Sequence, residues 1–403
     1  MTDLSTLTAE ARRRDAADPR FGRPGAYLTS GIAHLNGNSL GPPRASLSGE
    51  LERAVSKQWA RRQVGAWFRE GWLDLPRSVG DKLAVLLGAG PGQIVVAGET
   101  TSTTLFNVLT AACRLRDDRS VLLAETGAFP TDLYIAASVS TLLGRRLHVV
   151  PGTGIETFLR EEGHRVAVAL LAPVDFRTGE RRDVAAATAG CHAAGAVTVW
   201  DLSHAAGILP VRLDGDEVDL AVGCGYKYLG GGPGAPAFAY VARRWQSRVD
   251  FPLSGWHGHA EPFALRPEFE PASGIDRART GTPSVLGLLA LNHALDPLLD
   301  VGTEALYGRN RSLAEFFLDC LEYRNPGLLS HLITPREPER RGGHLAFRVP
   351  DADAAAETLR ERGVLVDARP PDLLRFAFAP LYVTHEHVVR AASGFCDLLE
   401  GLS

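Results

Sequence analysis

Between about residues 90 and 245, short runs of apolar residues alternate with alanine-rich stretches. The runs are "QIVVA" from Gln93, "VLLAE" from Val121, "LHVVP" from Leu147, "VAVALLA" from Val166, "AVTVW" from Ala196, "VDLAV" from Val218 and "APAFAYVA" from Ala235. Their nearly continuous apolar character predicts strands covered on both faces. Strands alternating with helical stretches predict an α/β domain on a mainly parallel sheet. Only about 12 residues separate the last two runs, too few for a helical crossover, so the final strand is expected to run antiparallel to its predecessor.

Beyond residue 295 the pattern changes. Leu313, Phe316, Phe317 and Leu321 recur at helical spacing, and the alternating runs "GHLAFRV" and "DLLRFAF" precede a terminal helix. This predicts a smaller α+β domain. The expected division is a large domain over 51–295 and a small one made of 1–50 and 296–403, the turn-rich N-terminal segment ("GNSLGPP") packing against the small domain or across the cleft. A chain of 403 residues exceeds one ordinary core, which agrees with two domains.

Composition narrows the function. The net charge is −4 with both signs interspersed, so there is no basic stripe for nucleic acid. The five cysteines are widely spaced with no CxxC pair, and no apolar run is long enough for a membrane span. These features predict a cytoplasmic protein with reduced thiols, bound neither to membrane nor to nucleic acid.

In open α/β sheets ligands bind beyond the carboxyl ends of strands, so the polar residues after each run come first. After "QIVVA" stand Thr100 to Thr104, opening a helix whose Leu105, Val108, Leu109 and Ala112 keep helical spacing. Hydroxyls and free amides there suit a phosphate, although a plain N-cap would look the same. After "VLLAE" come Phe129 and Asp132, after "AVTVW" Asp201 and His204, each open to an ordinary structural reading when taken singly. After "VDLAV" comes Lys227 in "GYKYLGGGPG", between two tyrosines and ahead of a glycine-rich turn. A partly desolvated lysine amine loses its proton readily and then attacks a carbonyl. Hydroxyls for a phosphate, an aromatic plate for a ring, an acid for a pyridine nitrogen and a lysine for an aldehyde together specify pyridoxal phosphate. "GGGPG" lacks the GK[ST] of a P-loop, and His257 and His259 near Glu261 lack further ligands, so no metal is expected.

At this point the chain resembles the kynureninases, fold type I pyridoxal-phosphate enzymes related to aspartate aminotransferase. The landmarks run through nearly the whole chain: "LNGNSLG" from Leu35, "TTSTTLFNVL" from Thr100, "FPTDLY" from Phe129, "DLSHAAG" from Asp201, "GCGYKYLGGGPG" from Gly223, "PLSGWHGH" from Pro252, "GTP" from Gly281 and "LLRFAFAPLY" from Leu373. The resemblance implies that Thr101, Ser102, Trp256 and Thr282 hold the phosphate, the last two from a dimer partner, and that Phe129 and Asp132 contact the cofactor ring. It implies that His204 and Tyr226 line the pocket beside Asp201 and Lys227, with catalytic roles for Lys227, Tyr226 and Asp201. Arg375 is the implied clamp for the substrate's α-carboxylate, with Asn38, Ser39 and His257 as further substrate contacts.

The implied activity is hydrolytic Cβ–Cγ cleavage of L-kynurenine or 3-hydroxykynurenine in tryptophan breakdown toward NAD, by a homodimer with active sites at its interface. The chain departs from the family pattern at His257, where phenylalanine is usual, at Ala172 and Pro173, where more polar residues are common, and at Asp175, often asparagine. Other expectations stay open: a modified kynurenine as substrate, a desulfurase or aminotransferase reaction, or a noncatalytic protein of the same fold. A desulfurase needs a cysteine on a mobile loop, and the nearest candidate, Cys320, is expected to be helical and partly buried.

Overall fold

The computed structural model describes residues 4–23 and 25–401. After the two-residue strand β1 (Ala33–His34), strands β2 (Ile94–Gly98), β3 (Val121–Glu125), β4 (Arg146–Val150), β5 (Val166–Leu171), β6 (Val197–Asp201), β7 (Leu220–Gly223) and β8 (Ala237–Val241) follow in turn. The last seven form one sheet in the order β2-β8-β7-β6-β5-β3-β4. Its pairings are parallel except those of β8, which is antiparallel to both β7 and β2. The short connection after "VDLAV" therefore does reverse the chain.

The continuous apolar runs follow from burial on two faces. In β2, Val95 joins Leu105, Val108 and Leu109 of the helix Thr101–Arg114, whereas Ile94 and Val96 face Val79 and Leu83 of the helix Leu75–Leu86. Strand β4 departs from the expectation of full cover. It is the outermost strand with β3 as its one partner, and Arg146 and Val149 are exposed.

Parallel strands bring their carboxyl ends to one edge of the sheet. Asp201, the last residue of β6, stands beside Val222 of β7, so the loops after these strands open side by side. At the opposite edge Asp219, just before β7, is nearly fully buried. Its Oδ2 lies 2.8 Å from His192 Nε2 and accepts from the Thr198 amide (2.8 Å) and hydroxyl (3.0 Å). Its Oδ1 accepts from Arg244 and from the Trp245 indole, both at 2.6 Å. Thr198 belongs to β6, and Arg244 and Trp245 follow β8, so one carboxylate clasps three strands. Burial alone would raise its pKa; these donors, His192 foremost, outweigh burial and hold it at about 2.

The C-terminal part contains β9 (His344–Arg348), β10 (Val364–Leu365), β11 (Asp367–Arg369) and β12 (Leu373–Ala377). Strands β11-β12-β9 make an antiparallel sheet, and β10 pairs in parallel with β1, Ala33 against Val364. Phe317 of the helix Thr303–Arg324 packs on Phe376 at 4.8 Å between ring centroids, and Phe347 on Phe395 of the helix His385–Glu400 at 5.0 Å. The N-terminal helix Leu4–Ala16 docks here through Asp15, which accepts from the His385 amide at 3.0 Å and from Arg309. Despite burial, His385 and Arg309 hold the Asp15 carboxyl at about 2.

Among the described residues no single helix is long and apolar enough to cross a membrane. Val285–Val301 and Thr303–Arg324 reach that length and composition only as a pair bent by 83°. Both helices carry many buried residues, and Leu288, Leu291, Phe316 and Phe317 belong to the main core.

Candidate active site

Lys227 lies in the loop after β7 and is 8% exposed. Its Nζ is 3.5 Å from both ring nitrogens of His204, 5.6 Å from the Phe129 ring centroid and 5.8 Å from that of Tyr226. The glycines around it are there because of close approach. A Cβ on Gly225 would stand 2.7 Å from the Pro236 carbonyl oxygen, and one on Gly231 would stand 2.8 Å from the Gly225 oxygen. The loop folds back on itself through the Gly231 amide, which donates to that oxygen at 2.9 Å.

Asp201 is aimed by a neighbour that sequence reasoning left out of the site. Its Oδ1 accepts from the Ser203 amide at 3.0 Å and from the Ser203 hydroxyl at 2.6 Å. Asp132, 3% exposed in the first turn of the helix Pro130–Leu142, shares a hydrogen bond with Asp201. Burial, and then the charge of Asp201, push the Asp132 carboxyl well above the usual range, while Lys227 pulls the other way. Asp132 therefore holds a proton more readily than an ordinary carboxyl. His204 is fully enclosed and driven far down, by burial first and then by Lys227 and Arg375, so its imidazole is neutral. Burial raises the Tyr226 phenol to about 12, which keeps it protonated.

Opposite these groups begins the helix Thr101–Arg114. Thr100 caps it: its hydroxyl accepts from the Thr103 amide at 3.2 Å, and the Thr103 side chain returns the bond to the Thr100 amide. The Thr101 and Ser102 amides, in the first turn, have no carbonyl partner inside the helix and lie at its positive end. A cavity of about 240 Å³ is lined by Thr101, Ser102, Phe129, Asp132, Asp201, Tyr226 and Lys227, together with Ser203.

These residues fit pyridoxal phosphate. The helix start offers amides and hydroxyls to a phosphate, Phe129 offers a ring face, and Lys227 offers an amine. The most telling feature is the buried pair of hydrogen-bonded carboxyls, whose negative charge a protonated ring nitrogen would balance.

The residues expected to meet the substrate fall into two groups. Ser39 and Arg375 meet: Ser39 Oγ lies 3.3 Å from an Arg375 terminal nitrogen and donates to Asp367 Oδ1 at 2.8 Å. Arg375 is fully buried on β12, the middle strand of its sheet; its Nε donates to Asp367 Oδ2 at 2.6 Å, and its terminal nitrogens reach Asp367 and the Phe176 carbonyl. Phe176 links this group to the cavity, its ring 5.2 Å from that of Phe129 and 6.4 Å from that of His204. Asn38 is fully buried with both amide atoms unpartnered, in a segment whose Gly41 amide donates to the Tyr226 carbonyl at 3.4 Å.

Trp256, His257 and Thr282 are not brought to Lys227 within this chain. Trp256 is about half exposed and lies 4.7 Å from the His257 ring and 5.7 Å from that of Phe263; Thr282 is exposed. His259 accepts from the Glu261 amide at 2.7 Å, and among the described residues no three metal-capable side chains cluster. Asp175 shapes its own turn, accepting from the amides of Arg177 (2.7 Å) and Thr178 (3.0 Å). Cys320 is 1% exposed in the helix Thr303–Arg324, more deeply buried than its sequence suggests.

The chain has relatives among known proteins. A family model described as the kynureninase C-terminal domain matches residues 306–395. The chain is 42% identical to a kynureninase of Deinococcus radiodurans over 99% of this chain and 97% of that one. It is 38% identical to a kynureninase of Pseudomonas fluorescens over 93% and 90% respectively. Among solved structures, a cysteine desulfurase from Thermococcus onnurineus aligns with a TM-score of 0.78 at 17% identity, over 93% of this chain and 96% of that one. A C-DES structure with glycine covalently linked to its pyridoxal-phosphate cofactor aligns with a TM-score of 0.72 at 17% identity, over 90% and 96%. These structural likenesses establish the fold type I architecture expected from the sequence.

Proposed function

The chain belongs to the kynureninase family, and from that premise we propose that it is a pyridoxal-phosphate-dependent hydrolase cleaving the Cβ–Cγ bond of L-kynurenine or 3-hydroxykynurenine to L-alanine and the matching anthranilate. The observation that carries the reading at the site is the enclosed Lys227 amine set between a neutral imidazole and a buried pair of hydrogen-bonded carboxyls.

When bound, pyridoxal phosphate supplies an electron sink for negative charge developing on the substrate. The roles of the residues are our assignment. Thr101 and Ser102 bind the phosphate from the helix start, and Phe129 covers the ring. Asp201, held by Ser203, accepts the ring N–H and keeps that nitrogen protonated. Asp132 supports Asp201 through the hydrogen bond they share. Lys227 takes the substrate's Cα proton, its amine within reach of an imidazole that does not compete as a cation. Tyr226, protonated throughout the neutral range, delivers a proton to Cβ. Hydrolysis adds a hydroxyl to the acyl carbon and a proton to Cβ, so one water is consumed per turnover. Arg375, Asn38 and Ser39 form the substrate side of the site, and His257 the aromatic-ring side.

We assign His257, Trp256 and Thr282 to the active site of a second subunit. Exposed Phe68, Phe263 and Trp256, the Phe263 ring lying 5.4 Å from that of Phe68 and 5.7 Å from that of Trp256, form an apolar patch that supports a homodimer. The division at residues 51–295, a cytoplasmic location and a place in tryptophan breakdown toward NAD belong to the same reading. Deep burial of Cys320 weighs against desulfurase chemistry.

The test is to load the protein with pyridoxal phosphate, add each kynurenine separately, and follow anthranilate fluorescence and alanine. Equimolar alanine and aromatic product are expected. A loaded protein that turns over neither compound, or that forms sulfide from cysteine instead, refutes the activity.

A further inference from the structure

His344 opens β9 opposite Ala377 of β12, and Arg375 stands opposite Ala346. Side chains alternate along a strand, so His344, Ala346, Arg375 and Ala377 share one face, with His344 diagonal to Arg375 and within reach of its long side chain. Asp367, opposite Arg375 on β11, completes a polar row of Asp367, Arg375 and His344. This row adjoins the lysine: the rings of His344 and His204 are 6.1 Å apart, and the His204 nitrogens are 3.5 Å from Lys227 Nζ.

Arg375 has little to spare, since its nitrogens are engaged with Asp367, Ser39 and the Phe176 carbonyl. His344 is the reverse case. It is 1% exposed, and neither ring nitrogen has a well-formed hydrogen bond within the chain, although the Phe176 carbonyl stands beside the ring. Buried polar groups in folded proteins are met by protein, water or ligand, and here protein serves poorly. Packing holds the ring in place: a Cβ on Gly179 would stand 3.3 Å from Nε2.

Burial first, and then Arg375, hold the imidazole neutral against the opposing pull of the Phe176 carbonyl. One ring nitrogen therefore keeps a proton to donate. Arg375, Arg369 and Lys227 act on this ring, and the acid of the row is Asp367, so the place favours an anion.

We propose that His344 is a second anchor for the substrate's α-carboxylate, its ring N–H donating to one oxygen while Arg375 neutralises the charge. The proposal rests on the amino-acid substrate assigned above. It makes His344 a binding residue whose loss falls on affinity.

The experiment compares wild type, His344→Leu and His344→Gln, each loaded with pyridoxal phosphate. Calorimetric titrations use L-alanine, which has the carboxylate, and L-alaninamide, which lacks it, and steady-state rates are measured with the better kynurenine. His344→Leu should bind L-alanine about tenfold or more weakly, as expected for losing a hydrogen bond to a charged group. It should leave L-alaninamide within about twofold and raise KM with kcat nearly unchanged. His344→Gln, which keeps a donor, should recover most of the affinity. If His344→Leu fails to fold, His344→Phe replaces it.

Unchanged L-alanine affinity in the apolar variant overturns the proposal, as does equal weakening toward both ligands, which would mark a packing role. If wild type binds L-alanine but cleaves neither kynurenine, the assigned activity fails, while the two titrations still decide the role of His344.

Discussion

Asp219→Asn removes the charge of the three-strand clasp while keeping its shape. The folded carboxyl titrates at about 2 against an ordinary 3.8. At about 1.4 kcal/mol per pH unit, that difference contributes roughly 2 kcal/mol of stability. Because the folded value is the lower one, the contribution is complete above about pH 4, shrinks as pH falls through 4 toward 2, and is absent below that. An amide facing the same donors adds a penalty that does not titrate. The diagnostic is therefore the part of the gap between wild type and variant that closes in acid. Urea unfolding of the loaded protein, at fixed concentration and at several values from about pH 7 to about pH 3, measures it. A gap equally wide at both ends would show that the charge contributes nothing, and no gap anywhere would show that the clasp is idle. Asp219→Ala, which leaves buried donors unmet, should cost more, about 3–5 kcal/mol.

Four further outcomes follow from the site and its supports. Lys227→Ala should fold with unchanged circular dichroism yet lose the visible absorption of lysine-bound cofactor and turnover by orders of magnitude; near-normal activity would refute its assignment. Asp201→Asn should also lose turnover by orders of magnitude, whereas Asp132→Asn, replacing a carboxyl that burial and the charge of Asp201 disfavour as an anion, should unfold at a urea concentration no lower than wild type when both lack cofactor. Asp15→Asn should loosen the N-terminal helix by about 1–2 kcal/mol near neutral pH; cleavage within residues 4–23 during limited proteolysis checks this, and the difference from wild type should fade as pH falls from about 4 to 2.

Much of this architecture was legible because local signals agreed with burial. Apolar runs marked the strands of the large sheet, and the short link before "APAFAYVA" marked the reversal of β8. Lys227, Asp201, Asp132 and Phe129 were legible because each closes or follows a strand at the same edge. Partners set by tertiary register were not legible. Asp367 and Arg375 are eight residues apart in sequence, and nothing local says that the hairpin stands them face to face. Ser203 was visible inside "DLSHAAG", but its bond to Asp201 depends on how the turn closes. His344 looked like one residue of an alternating strand, and its poorly met nitrogens emerge only once the turn at Gly179 and the ring of His204 are in place.

The pairing of β1 with β10 also matters for how the molecule is made. Ala33 leaves the ribosome early, and its partner Val364 follows 331 residues later (364 − 33). At about 5–20 residues per second that interval is roughly 20–70 seconds. Throughout it, the segment bearing Asn38 and Ser39 has neither its strand partner nor the acid it binds at Asp367. The part of the pocket to which substrate binding is assigned is thus among the last parts of the protein to be completed, and a nascent chain halted before β10 would present the lysine loop without it.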